Sequence, residues 1–199
     1  MKTKTKILIL GILTLVGFSL LAWPILIYLN KSVSDVLVGN KGLLFQTFIG
    51  LTYGLFSGLL AWAFISTHFM AKIRWHYASL TKRLKLGMKE IIFLSFCAGI
   101  GEELLFRGSL QPIMGIWFTS FIFVALHGYL NPFKPKLFLY GMLMFGVILG
   151  LGYMCIKFGI LTSMAAHFMI DVVLLIGLVY FPGLPPTSIE NEKDIDYES

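Results

Sequence analysis

Residues 88–108 read MKEIIFLSFCAGIGEELLFRG. An apolar run passes directly into two adjacent acids, Glu102 and Glu103, and then a base, Arg107. As a helix this stretch rises roughly 30 Å at 1.5 Å per residue, the thickness of a bilayer's hydrocarbon core. It is either the centre of a large soluble core or a membrane span carrying charge. Composition decides: the 199 residues are 57% hydrophobic and only 13% charged, against about 25% charged in a soluble domain. One soluble core of this size has no room for so many long apolar runs. The reading is an all-α, polytopic membrane helical bundle.

Working outward, about six transmembrane helices emerge: 7–29, 43–70, 88–107, 116–129, 137–156 and 160–181, the fourth with a start as early as Gln111. The first follows Lys2, Lys4 and Lys6 as a signal peptide would. Its apolar stretch exceeds a signal core and LLAWP is a poor cleavage site, so it is read as a retained helix. NPFKPK at 131–136 is a turn, because two prolines stop a helix. PGLPP at 182–186 breaks the chain again. The organisation is an integral membrane domain over 1–181 and an acidic tail over 182–199, read as disordered.

The formal net charge is +6. The bases cluster at the ends of apolar segments, where topology needs them, and form no surface for nucleic acid. The positive-inside rule puts Lys2–Lys6, the basic stretch 72–89 and the Lys134/Lys136 turn in the cytoplasm. Both termini then lie on that side of a multi-pass protein, the cell membrane in a prokaryote. Cys97 and Cys155 sit in apolar runs and read as small buried residues. Gly146 and Gly150 form a GxxxG spacing that suits close helix packing. No repeat of fixed period is present, and no feature sets an oligomeric state.

Of ten acids, five lie in the tail, and Asp35 and Glu90 fall near segment ends. Glu102, Glu103 and Asp171 remain inside apolar runs. An ionisable group there costs several kcal/mol and marks a cavity or a site. Residues four apart share a helix face, so Glu103 pairs with Arg107. Glu102, rotated about 100° away, is left over. Phe123 and His127 are four apart in FVALH, as are His167 and Asp171 in HFMID. His68 and His76 lie beside bases at segment ends and read as interfacial. Three helices thus bring Glu102, His127, His167 and Asp171 into the membrane. A glutamate with a histidine removes a proton from water; a second histidine with an acid binds an oxyanion or orients the water. This is equipment for amide hydrolysis. The same donors, Glu102, His127 and His167, are also a set for zinc.

The ordered motifs EELLFR (Glu102 to Arg107), FVALH (Phe123 to His127) and HFMID (His167 to Asp171) resemble the type II CAAX prenyl endopeptidase family, also called the CAAX protease and bacteriocin-processing (Abi) family. Its pattern is EExxxR, FxxxH and HxxxN or HxxxD. The context FGVILGLGYMCIKFGILTSMAAH resembles the glycine-rich helix and turn before the family's last motif, and the likeness covers residues 97–175. The resemblance implies a CAAX-protease-like bundle with peptidase activity. In it Glu102 and His127 activate water, His167 and Asp171 stabilise the oxyanion, and Glu103, Arg107 and Phe123 support the site. It favours no cofactor, with glutamate-activated water in place of metal. Asn is commoner at position 171; an ionised Asp171 would repel an oxyanion, so it must be protonated or must orient His167.

The expected partners are a peptide or protein substrate entering from membrane or cytoplasm, and membrane lipid. Two other classes use the same residues: a non-catalytic bacteriocin-immunity or partner-binding protein, and a proton-coupled transporter, against which stands the lack of an inverted repeat. The topology also carries a conflict. Glu102 lies about 20 Å beyond Lys89, whereas His127 falls near the cytoplasmic end of helix four. Either residues 88–96 lie partly along the interface or a helix is broken.

Overall fold

The computed structural model describes residues 3–37, 41–183 and 185, so the acidic tail lies outside it from 186 onward. All described elements are helical. In order they are α1 (Thr3–Tyr28), the short α2 (Val33–Leu37), α3 (Leu43–Ile65), a 3-10 turn (His68–Met70) and α4 (Ala71–Leu84). Then follow α5 (Met88–Glu103), a π-helical segment (Leu104–Leu110), α6 (Gln111–Leu126), α7 (Pro135–Phe158) and α8 (Ile160–Tyr180). Large apolar side chains such as Leu10, Leu20, Phe48 and Trp117 point outward, as lipid requires of a polytopic bundle.

Five stretches are long and apolar enough to cross a membrane: Lys4–Tyr28, Leu43–Ile65, Met88–Leu126, Pro135–Phe158 and Ile160–Tyr180. The expected third and fourth helices thus fall within one helical passage of 39 residues. That passage is not straight. Gly115 inside it has φ 76° and ψ 166°, a region open essentially to glycine alone. Glu102 meets His127 and the Phe106 ring meets Phe123, so residues equidistant from Gly115 pair and the chain reverses there. Residues 88–114 are the outgoing leg of a hairpin and 116–126 the return leg. The return leg rises only roughly 16 Å, about half of a hydrocarbon core. The expected fourth crossing over 116–129 therefore ends early, at Leu126, and Gly128 with φ 75° turns the backbone away. This resolves the depth conflict: helix four is broken, and His127 stops level with Glu102.

Two parallel helix pairs frame the hairpin. In one, Lys4 reaches Glu90 at 3.0 Å, and a Cβ on Gly101 would lie 2.7 Å from the Thr14 carbonyl oxygen, which binds α1 along α5. In the other, Gly50, Gly54 and Gly58 lay α3 on α8, where a Cβ on Gly54 would run into the Ala166 carbonyl oxygen. Close approach of this kind replaces the hydrophobic drive that lipid removes. The expected packing pair was Gly146 and Gly150. Gly146 faces nothing within 4 Å, and Gly150 leaves room for the Tyr53 ring, whose hydroxyl donates to Val147 O at 3.0 Å. Glycines on α3 and α5 thus pack helix on helix, and of the α7 pair only Gly150 takes part in packing. Helix 43–70 is likewise shorter than expected, ending at Ile65 before the 3-10 turn.

Charge divides the bundle. Lys4 at one end shares it with α4, whose Arg74 donates to Pro182 O at 3.1 Å, and with Lys136, which donates to Phe69 O at 2.9 Å. Lys31 and Asp35 lie at the other end, beside Gly159. Cys97 and Cys155 are free thiols.

Candidate active site

Glu102 sits near the middle of the hairpin, about 18 Å in helical rise from Glu90 and about 20 Å from the turn at Gly115. Its Oε2 lies 3.7 Å from Nε2 of His127 and is buried without a hydrogen-bond partner. His127 is held by its other nitrogen, which donates to Phe123 O at 2.7 Å. A carbonyl only accepts, so Nδ1 carries the proton and Nε2 turns toward Glu102. The Phe123 ring stacks on the imidazole at 4.4 Å and 24°. The spacing of FVALH thus supplies both the acceptor and the ring.

Glu103 has the opposite surroundings. Its side chain is 0% exposed, against 13% for Glu102 and 34% for His127. Arg107 Nε lies 3.6 Å from Glu103 Oε2, the expected i,i+4 pair. Glu103 Oε1 also accepts from Nδ1 of His167 at 3.0 Å. One sealed carboxylate therefore fixes a base on its own helix and an imidazole on α8. Arg107 donates on to Ile148 O of α7 at 3.4 Å and stands over the Phe123 ring at 5.3 Å. Phe123 also receives the edge of His167 at 5.6 Å, so its ring lies between both histidines and the arginine. The π segment accompanies this cluster: Ser109 Oγ donates to Leu104 O, five residues back, at 3.0 Å. Such widened turns recur at functional sites.

His167 Nε2 faces Asp171 Oδ2 at 3.6 Å, too far for a hydrogen bond. His127, His167, Asp171, Phe123 and Tyr129 line a cavity of about 50 Å³, room for one or two waters. The expected site residues are thus in one assembly: His127, His167 and Asp171 line the cavity, and Glu102 joins them through His127.

Among the described residues no three His, Cys, Asp or Glu side chains are placed to hold a metal ion. His167 keeps Nδ1 on Glu103 and turns Nε2 toward Asp171.

Sequence reasoning missed Tyr129, which stacks on His127 at 5.8 Å and meets Tyr140 at 5.4 Å. An aromatic two residues after a candidate histidine was the available signal. The Ile148 carbonyl carried none, because a backbone group looks the same at every position.

An acid facing one histidine, a second acid behind another, and an arginine behind that acid occur in the order of the three motifs. Residues 85–173 resemble a known family. They match the family model described as Type II CAAX prenyl endopeptidase Rce1-like, and every side chain of the site lies in this Rce1-like stretch. Uncharacterized protein YpbD of Bacillus subtilis (strain 168) is 41% identical over 90 residues, 45% of this chain and 46% of that protein. The chain thus matches about half the length of that relative. No solved structure matches.

Proposed function

We propose that this protein is an intramembrane endopeptidase that uses Glu102 as general base. The observation that carries the reading is the unpartnered Oε2 of Glu102 facing His127 Nε2 at 3.7 Å, midway through the bundle. A water held beside both gives its proton to Glu102 and attacks the scissile carbonyl. His167, oriented by Glu103, steadies the resulting oxyanion together with a protonated Asp171. Glu102 then returns the proton to the departing amine, leaving a carboxylic acid and an amine as products. Metal takes no part in these steps. The Rce1-like match supports a CAAX-type hydrolase, and the substrate is a peptide or protein tail reaching the site from the membrane or the cytoplasm. Both termini face the cytoplasm, as the basic end of the bundle suggests.

The test is cleavage of an internally quenched apolar peptide by the purified protein, with metal content measured on the same sample. Glu102→Gln keeps the shape and removes the base; it is expected to fold and to lose ~10²–10⁴-fold in rate. Unchanged cleavage in that variant would sink the assignment. Loss of cleavage on chelation, restored by zinc, would overturn the metal-free mechanism.

A further inference from the structure

The basic end of the bundle holds a second cavity, of about 530 Å³, between α4 and the start of α7. Its walls are mixed in a particular way. Ile73, Tyr77 and Leu137 supply apolar surface, while Lys72, Lys134 and Lys136 bring three ammonium groups to it. Among the described residues no carboxylate lines it. Lys136 uses one donor on Phe69 O at 2.9 Å and lies over the Phe69 ring at 4.5 Å. An ammonium has three donors, so further contacts remain open to it. Phe69 and Phe133 are half and almost wholly exposed beside these lysines. Bases at the end of apolar helices belong to the depth of lipid headgroups.

We propose that this cavity binds the headgroup of an anionic phospholipid, with the phosphate at Lys72, Lys134 and Lys136 and the upper acyl chain along Ile73 and Leu137. A soluble anion satisfies only the lysines. A neutral lipid satisfies only the apolar wall. An anionic lipid satisfies both, and juxtamembrane lysines attract such lipids. The site also bears on the catalytic assembly. Lys134 and Lys136 flank the N-terminus of α7 and end the non-helical stretch that follows His127 and Tyr129. A lipid bridging α4 and this stretch holds the loop that carries His127. The inference stands on the cavity and the membrane placement, and does not need the peptidase reading.

The experiment compares thermal unfolding of the full chain in phosphatidylcholine-doped micelles after adding phosphatidylglycerol, more phosphatidylcholine, or inorganic phosphate. Phosphatidylglycerol alone is expected to raise the melting temperature by a few degrees. Lys72→Gln/Lys134→Gln is expected to lose that shift, with Lys136 kept because it supports Phe69 O. Lys82→Gln/Lys85→Gln removes the same charge from a different cavity of α4 and is expected to keep the shift. An equal shift with phosphatidylcholine or phosphate overturns the proposal. So does an equal loss in both variants, which would mean diffuse attraction with no built site. Should the first variant fail to fold, native mass spectrometry of the unaltered protein decides: a phosphatidylglycerol adduct retained against excess phosphatidylcholine supports the site, and its absence overturns it.

Discussion

Glu102 and Glu103 share a peptide bond and almost nothing else. About 100° of helical rotation turns one toward His127 and seals the other between Arg107 and His167. Charge in a sealed place is stable only while its partners remain, and breaking one member of such a cluster costs about 3–5 kcal/mol. Glu103→Gln is therefore expected to lower the folded yield and the melting temperature, in contrast to Glu102→Gln. Near-normal stability of Glu103→Gln would contradict the sealed cluster. The sequence showed half of this. The i,i+4 rule gives Glu103–Arg107, because one helix brings the two together. The contact from Glu103 to His167 joins residues 64 apart in the chain, and no local periodicity encodes it.

At the scale of elements, the hairpin of α5 and α6 sets the chemistry. Its turn rests on Gly115, whose positive φ suits no L side chain,. A Cβ at Gly115 meets no neighbouring atom within 4 Å, so a substitution there acts through the backbone alone. Gly115→Ala is expected to cost about 1–3 kcal/mol and to move His127 relative to Glu102, reducing cleavage more than a stability loss of that size explains. Cleavage falling only in step with the folded fraction would show that the turn does not position the site. Sequence placed the start of this helix at Ile116, or as early as Gln111, and read it as a separate crossing without the reversal at Gly115. It overran the end, because Ala125, Leu126 and His127 continue a helical pattern until Gly128 turns the chain by its own dihedral angle. The small-residue spacing was read on α7, where it resembles GxxxG, whereas the load falls on Gly50, Gly54 and Gly58 of α3. Spacing alone does not say which face meets a neighbour.

For the whole molecule, hydropathy and charge at segment ends were enough for the class of fold and for two chemically distinct ends. Lys4, Arg74 and Lys136 share one end with their partners Glu90, Pro182 and Phe69. The count of crossings was harder, since it depends on where one short helix stops. A cysteine-free background, Cys97→Ala/Cys155→Ala, allows sidedness to be read directly. Single cysteines at Lys85→Cys and Lys41→Cys are expected to react with an impermeant thiol reagent from opposite faces of sealed vesicles, the former from the cytoplasmic side. Reaction of both from one face would overturn the crossing by α3.

The short return leg also governs how the chain enters the membrane during synthesis. With about half the apolar length of a full span, residues 116–126 gain too little from lipid to partition alone. The outgoing leg must carry them, and the hairpin inserts as one piece with Gly115 leading. His127 then arrives at depth only in the company of Glu102, and neither polar group is left alone in hydrocarbon while the rest of the protein is still being made.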